Sequence, residues 1–159
     1  MTRINTVNPS DLTNEWLLAE FRELPRIVNE LEKHPTRFKL ADIPSNYTLN
    51  TGHVKFFRNK LLFLAKRHRE IRKELKRRGI ACNKRIKVEL FYLSDTIKKQ
   101  ALNDWTPHSD DHSVLIERLQ ARFDLRKKSY TMTKDNYKQV INCEHSFNEY
   151  LNNHLAKYF

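Results

Sequence analysis

The stretch "AEFRELPR" carries three residues that could do chemistry together. At about 100° per residue in a helix, Arg22, Glu23 and Arg26 fall on one arc, opposite Leu17, Phe21 and Leu24. Two guanidiniums flanking a carboxylate could hold phosphates and move a proton between them. An exposed helix face of mixed charge would carry the same three residues. A second candidate lies at the start of the chain, which reads Met1-Thr2-Arg3. Removal of Met1 before a small residue exposes the Thr2 α-amine, a group with an ordinary pKa of about 8. Cations such as Arg3, Arg22 and Arg26 nearby would disfavour its protonated form. A free amine of this kind can attack a sugar C1′ and form an imine, as a lysine does in a Schiff base. Glu23 could then transfer protons or stabilise the cationic intermediate. The sequence alone does not bring Thr2 to Glu23.

The elements that would position these groups are mostly helical. Residues 11–34 are predicted to form a helix, capped by Ser10 and Asp11 and kinked at Pro25, with Leu17, Phe21, Leu24, Val28 and Leu31 as its core stripe. Residues 35–50 read as a loop. Residues 52–78 are predicted as a second helix running from Thr51 to a stop at Gly79. Its half "HVKFFRNKLLFLA" is apolar almost all round and so central; its half "KRHREIRKELKRR" is expected to be exposed. "RIKVELFYL" alternates as a short strand would, or as an extended segment laid over the helices. A third helix is predicted over 111–126, with Arg118 and Arg122 one turn apart on one face. A fourth is predicted over 134–156, capped by Thr133 and striped by Tyr137, Val140, Ile141, Phe147, Leu151 and Leu155.

Composition bounds the function. Only 2 glycines and 5 prolines in 159 residues favour long helices over a turn-rich sandwich. Cys82 and Cys143 form no disulfide framework, as suits a reducing compartment. No apolar run approaches the roughly 18 residues of a spanning helix, and no signal-peptide core is present. A soluble cytoplasmic protein is expected, in the host cytoplasm if a phage encodes it. The formal net charge is +11. Eleven Lys/Arg against two Glu lie between Thr51 and Arg78. Such an excess points to a polyanionic partner, most often nucleic acid.

The stretches "MTRIN", "AEFRELPR" and "GHVKFFRNKLLFLAKR" closely resemble the pyrimidine-dimer DNA glycosylases with AP-lyase activity, the phage endonuclease V-like family. The resemblance is strong over 1–34 and 52–67. It is weaker over 105–126, where "WTPH" and Arg118-Leu119 resemble a PH element and the basic helix after it. It implies a compact all-α domain of three main helices, with the N-terminal segment threaded between them. The divergent residues 129–159 would add a helix packed on a domain of residues 1–128. The resemblance makes Thr2 the amine nucleophile and Glu23 the essential acid of glycosyl cleavage and β-elimination. Arg3, Arg22 and Arg26 would hold phosphates at the lesion, and Arg118 and Arg122 would contact the DNA backbone. It implies duplex DNA as partner, a monomer, and no metal or organic cofactor. Such enzymes flip a nucleotide out of the stack, which exposes the target sugar and base.

Two departures bear on the substrate. Trp16 stands where the family typically has His. The family's C-terminal Trp-Tyr-Lys-Tyr-Tyr cluster, linked to dimer recognition, is replaced by "SYTMT" over Ser129–Thr133, where only Tyr130 is retained. A different modified base is therefore one alternative substrate, and a DNA-binding protein without chemistry is another. "HSDDH", from His108 to His112, reads as a helix start rather than a metal site. Cys143 reads as a partly buried residue of the fourth helix.

Overall fold

The computed structural model describes residues 4–83, 94–125 and 129–159. Thr2, Arg3 and the strand expected within 85–93 lie outside these residues. Six α-helices and one hairpin follow each other along the described chain: α1 (Asn14–Lys33), α2 (His53–Phe57), α3 (Leu61–Arg77), α4 (Asp95–Ala101), α5 (Ser109–Leu125), β1 (Tyr130–Lys134), β2 (Tyr137–Ile141) and α6 (Glu144–Tyr150). The fold is mostly helical, as expected, with one small two-stranded antiparallel sheet added.

Helix α1 starts at Thr13, whose hydroxyl accepts the Trp16 backbone N–H. The expected caps do other work. Ser10 and Asp11 belong to a preceding 3-10 turn, Pro9–Asp11, capped by Asn8. The stripe Leu17, Phe21, Leu24, Val28 and Leu31 is buried as expected, and Pro25 sits inside the helix. The expected second helix is broken at 58–60 into α2 and α3. Lys60 holds the break: its ammonium donates to the Phe56 carbonyl at 2.9 Å and lies 3.7 Å above the Phe56 ring. Burial draws its pKa down to about 8. Gly79 ends α3 at a φ of 70°, where a side chain would be strained. Its N–H and that of Ile80 reach back to Lys76 and Leu75 and close the helix.

Only the second half of the expected fourth helix is helical. A hairpin occupies its first half: Tyr130 pairs with Ile141 and Lys134 with Tyr137 in an antiparallel ladder. Asp135 and Asn136 form the two-residue turn, with φ of 47° and 64°. Two positive φ values match the right-handed twist of the strands, and Asp and Asn tolerate them. Thr133 is therefore a strand residue and not a cap. Residues 144–150 are α6, followed by a π turn (Leu151–Leu155) and a 3-10 turn (Ala156–Tyr158). Cys143 is exposed just before α6 and not part of a helix face.

The tail rests on α1 and on the residues before it. The Glu15 carboxylate accepts the backbone N–H and hydroxyl of Thr131 at 2.8 and 2.7 Å. Asn14 donates to the hydroxyls of Thr131 and Thr133. Trp16 packs against Tyr130 and Tyr150, with ring centroids 4.7 and 6.0 Å apart. Phe147 stacks on Phe123 of α5 at 4.1 Å. The end of the chain is tied by Asp11, which accepts from the Tyr158 hydroxyl at 2.7 Å and pairs with Lys157 at 2.8 Å and His154 at 3.5 Å.

These contacts set a pH dependence. Burial alone would raise the Asp11 pKa, but bonds from His154, Lys157 and Tyr158 outweigh it and bring it down to about 2. A carboxyl depressed in the folded state stabilises it above its ordinary pKa and loses that effect as pH falls through the depressed value. Between about pH 4 and pH 2, the urea midpoint of the wild-type protein should therefore fall. Asp11→Asn should remove that part of the slope.

Candidate active site

The N-terminal segment is held by buried groups that the helices present to it. Ile4, Val7 and Leu12 are fully buried. The Ile4 N–H donates to His53 Nε2 at 2.8 Å, and the Ile4 carbonyl accepts the Tyr47 hydroxyl at 2.8 Å. Because Nε2 accepts, the proton of His53 sits on Nδ1, which donates to the Thr48 carbonyl at 2.6 Å. The ring is thus neutral in this arrangement. Tyr47 and His53 lie in an aromatic cluster with Phe56, Phe57 and Trp105, which explains how a loop residue and the first residue of α2 are aimed so tightly.

Below Ile4 sits a buried ion pair. Glu20 of α1 and Arg67 of α3 meet in a two-pronged contact, 2.8 and 3.0 Å, with Glu20 wholly buried. Burial pulls the Arg67 pKa down, but the adjacent Glu20 charge holds it above its ordinary value. Both partners also bind the N-terminal segment. Asn5 donates to Glu20 at 2.7 Å, and Arg67 donates to the Val7 carbonyl at 2.7 Å. Arg78 does the same one level further along, donating to the carbonyls of Pro9, Ser10 and Leu12 while pairing with Glu74 at 2.6 Å. The expectation that the basic half of this helix is wholly exposed is therefore corrected. Two of its arginines point inward, because nine residues of irregular backbone need donors that no ladder supplies.

Glu23 follows Glu20 by three residues and Ala19 by four, so it continues their face of α1 by one turn. Its side chain is 18% exposed and pairs with Arg26 at 2.9 Å, while Arg26 itself is 66% exposed. Arg22 is exposed beside them. On the same side of α1, Asn5, Trp16, Ala19, Glu20, Arg118 and Arg122 line a narrow pocket closed by Leu49, Leu115 and Leu119. Helix α5 thus brings Arg118 and Arg122, both half-buried, to the face of α1 that leads to Glu23. Sequence reasoning missed Glu20, Arg67, Asn5, Tyr47 and His53. One signal was available: a Glu inside the apolar arc of α1 and an Arg inside that of α3 each require a partner.

The His108–His112 stretch is a helix start. Asp111 accepts the His108 N–H at 2.8 Å, and His112 Nδ1 lies 2.8 Å from the Thr6 hydroxyl. Among the described residues no helix is long and apolar enough to cross a membrane.

A family model for pyrimidine dimer DNA glycosylase matches residues 1–88, more than half of the chain. The protein belongs to the pyrimidine dimer DNA glycosylase family. Membership makes it a DNA-repair glycosylase, with DNA as the substrate of its family. The match spans the N-terminal segment, α1, α2 and α3, and so takes in Ile4, Glu20, Glu23, His53 and Arg67.

Two variants test this support. Arg67→Met leaves Glu20 buried without its partner and should destabilise the fold by about 3–5 kcal/mol in urea unfolding. His53→Ala removes the acceptor of a buried N–H, which costs about 1–3 kcal/mol. Amide hydrogen exchange at Ile4 should accelerate in His53→Ala while exchange within α3 stays slow. Unchanged exchange at Ile4 would show that His53 does not hold the segment.

Proposed function

We propose that the protein is a DNA glycosylase with AP-lyase activity that acts at pyrimidine dimers through the α-amine of Thr2. The observation that carries this reading is the fixed position of Ile4, held through both its backbone groups. It lies two positions after Thr2, so chain connectivity limits the amine to about 7 Å from the Ile4 backbone. Asn5 is bonded to Glu20, one turn before Glu23 on the same face. In this reading loss of Met1 frees the amine that acts with Glu23, the carboxylate that the family resemblance singles out.

The steps balance without a metal or cofactor. The Thr2 amine attacks C1′, and the N-glycosidic bond breaks with its electron pair leaving on the base. Opening of the sugar ring at O4′ gives an imine between Thr2 and C1′. The imine acidifies the C2′ protons; removal of one and departure of the 3′ phosphate oxygen nick the strand. Water then hydrolyses the imine and frees Thr2. Glu23 is the group that stabilises the cationic intermediate and moves the C2′ and O4′ protons. Arg3, Arg22 and Arg26 hold phosphates at the lesion, and Arg118 and Arg122 hold the backbone from α5.

The aromatic packing of Trp16 favours a second reading, in which the same chemistry acts on another modified base. Trp16 lines the pocket beside Glu20 and is packed against Tyr130 and Tyr150 of the tail. A change at the pocket wall and a replaced C-terminal segment are thus one connected feature.

Borohydride trapping separates these readings. Protein shown by intact mass to start at Thr2 should be covalently captured on duplexes with a thymine dimer and with an abasic site. Capture on the abasic site but not on the dimer would move the substrate to another base. No capture on any duplex would leave a DNA-binding protein without chemistry. Glu23→Gln should lower strand cleavage by about 10²–10⁴-fold while duplex binding persists. That binding should weaken with salt by a log–log slope of about −0.9 per phosphate held.

A further inference from the structure

The cations of the central segment divide into two sets. Arg58, Arg67 and Arg78 point inward, onto Glu30, Glu20 and Glu74. Arg69, Lys73 and Lys76 are exposed at spacing i, i+4, i+7 along α3, a stripe about 10 Å long at 1.5 Å per residue. The buried residues Leu64, Arg67, His68, Ile71 and Leu75 lie on the opposite side of this helix, and that side meets α1 through Arg67–Glu20 and His68–Phe21. The stripe therefore faces away from α1 and from Arg22, Glu23 and Arg26. A helix dipole favours cations in its last turn, which accounts for Lys76 and Arg77 but not for Arg69 and Lys73.

Next to Lys76, Arg77 at the end of α3 lines a groove of about 360 Å³ against the tail. Arg77, Lys134 and Lys157 line it, together with Thr133, Asn153 and His154. The groove's acids are Asp11, bound by Tyr158 and Lys157, and Asp135. On α3 itself Glu74 is buried on Arg77 and Arg78, which leaves Glu70 as the one exposed acid of the helix beside Arg69, Lys73 and Lys76. Three cations over about 10 Å span about three steps of one strand at 3.4 Å per step.

We propose that this face of α3 and its adjoining groove form a second duplex-binding surface, which holds the phosphate backbone of a DNA segment other than the one at Glu23. Two packed helices with axes 8–10 Å apart place their outer faces about 20 Å apart. A stiff duplex lying on α1 does not reach around to the far side of α3. The occupant is thus a separate duplex or a distant part of the same DNA. The inference rests on DNA being the partner and is independent of the Thr2 chemistry.

Sedimentation velocity of the full chain with excess short undamaged duplex tests it. The wild-type protein should form a complex of one protein with two duplexes at low salt. Arg69→Gln/Lys73→Gln/Lys76→Gln, and the same three positions changed to Glu, should stop at one duplex, with second-site affinity lowered at least about tenfold for the loss of three phosphate contacts. Both variants should keep wild-type thermal unfolding, since none of the three residues has a partner to lose among the described residues. Saturation of the wild-type protein at one duplex would overturn the proposal. So would a second duplex held equally by the triple variants, or preferential capture of phosphatidylserine vesicles over DNA. A protein that binds two duplexes but fails every trapping reaction would refute the Thr2 mechanism and leave this surface standing.

Discussion

The buried pair of Glu20 and Arg67 is the contact on which the rest of the arrangement depends. Taking two charges out of water costs several kcal/mol each, and their attraction offsets that only with good geometry and further hydrogen bonds. Here the geometry is two-pronged, and the further bonds come from Asn5 and to the Val7 carbonyl. The pair thus fastens α1 to α3 and both helices to the N-terminal segment. A segment without regular structure stays buried only where each of its polar backbone groups finds a partner. His53, Tyr47 and Arg78 supply others, so the helices on either side of the segment are also its hydrogen-bonding frame. Chemistry at the start of the chain requires such a frame, because a free terminus would otherwise sample many positions.

The C-terminal tail is coupled to this frame at two points. Trp16 joins it through the Tyr130 and Tyr150 rings, and Asp11 joins it through Tyr158, Lys157 and His154. Both anchors flank the segment that leads from Ile4 into α1. Trp16 fills the space beside Glu20 with aromatic surface, and the tail brings the rings that cover it. The pocket wall and the tail are therefore a single packing unit.

The positive charge serves two different purposes. Arg67 and Arg78 are structural: each satisfies carbonyls of irregular backbone and is neutralised by a glutamate. Arg22, Arg26 and the outer stripe of α3 remain in solvent, where they attract polyanions over about a Debye length. Counting cations along the sequence does not separate these sets, because burial is decided by which face of a helix meets its neighbour.

The core stripe of α1, the stop at Gly79, the arc of Arg22, Glu23 and Arg26, and the shared face of Arg118 and Arg122 were legible in the sequence, since each depends on local periodicity or on one backbone conformation. The family was legible too, because its motifs are contiguous and match residues 1–88. The hairpin was not read, although Lys134-Asp135-Asn136 is a turn signal between alternating residues; a helical spacing of apolar residues after Tyr137 masked it. The break between α2 and α3 and the caps of α1 were missed for a related reason, namely that the Lys60 backbone bridges to Leu102 and Asp11 is bound by the end of the chain. What only the tertiary structure decided is the meeting of Ile4 with Tyr47 and His53, and of Glu20 with Arg67, 47 positions away. Those pairings carry no local signature: a buried charge announces that it needs a partner, and only the packing of one helix on another says which.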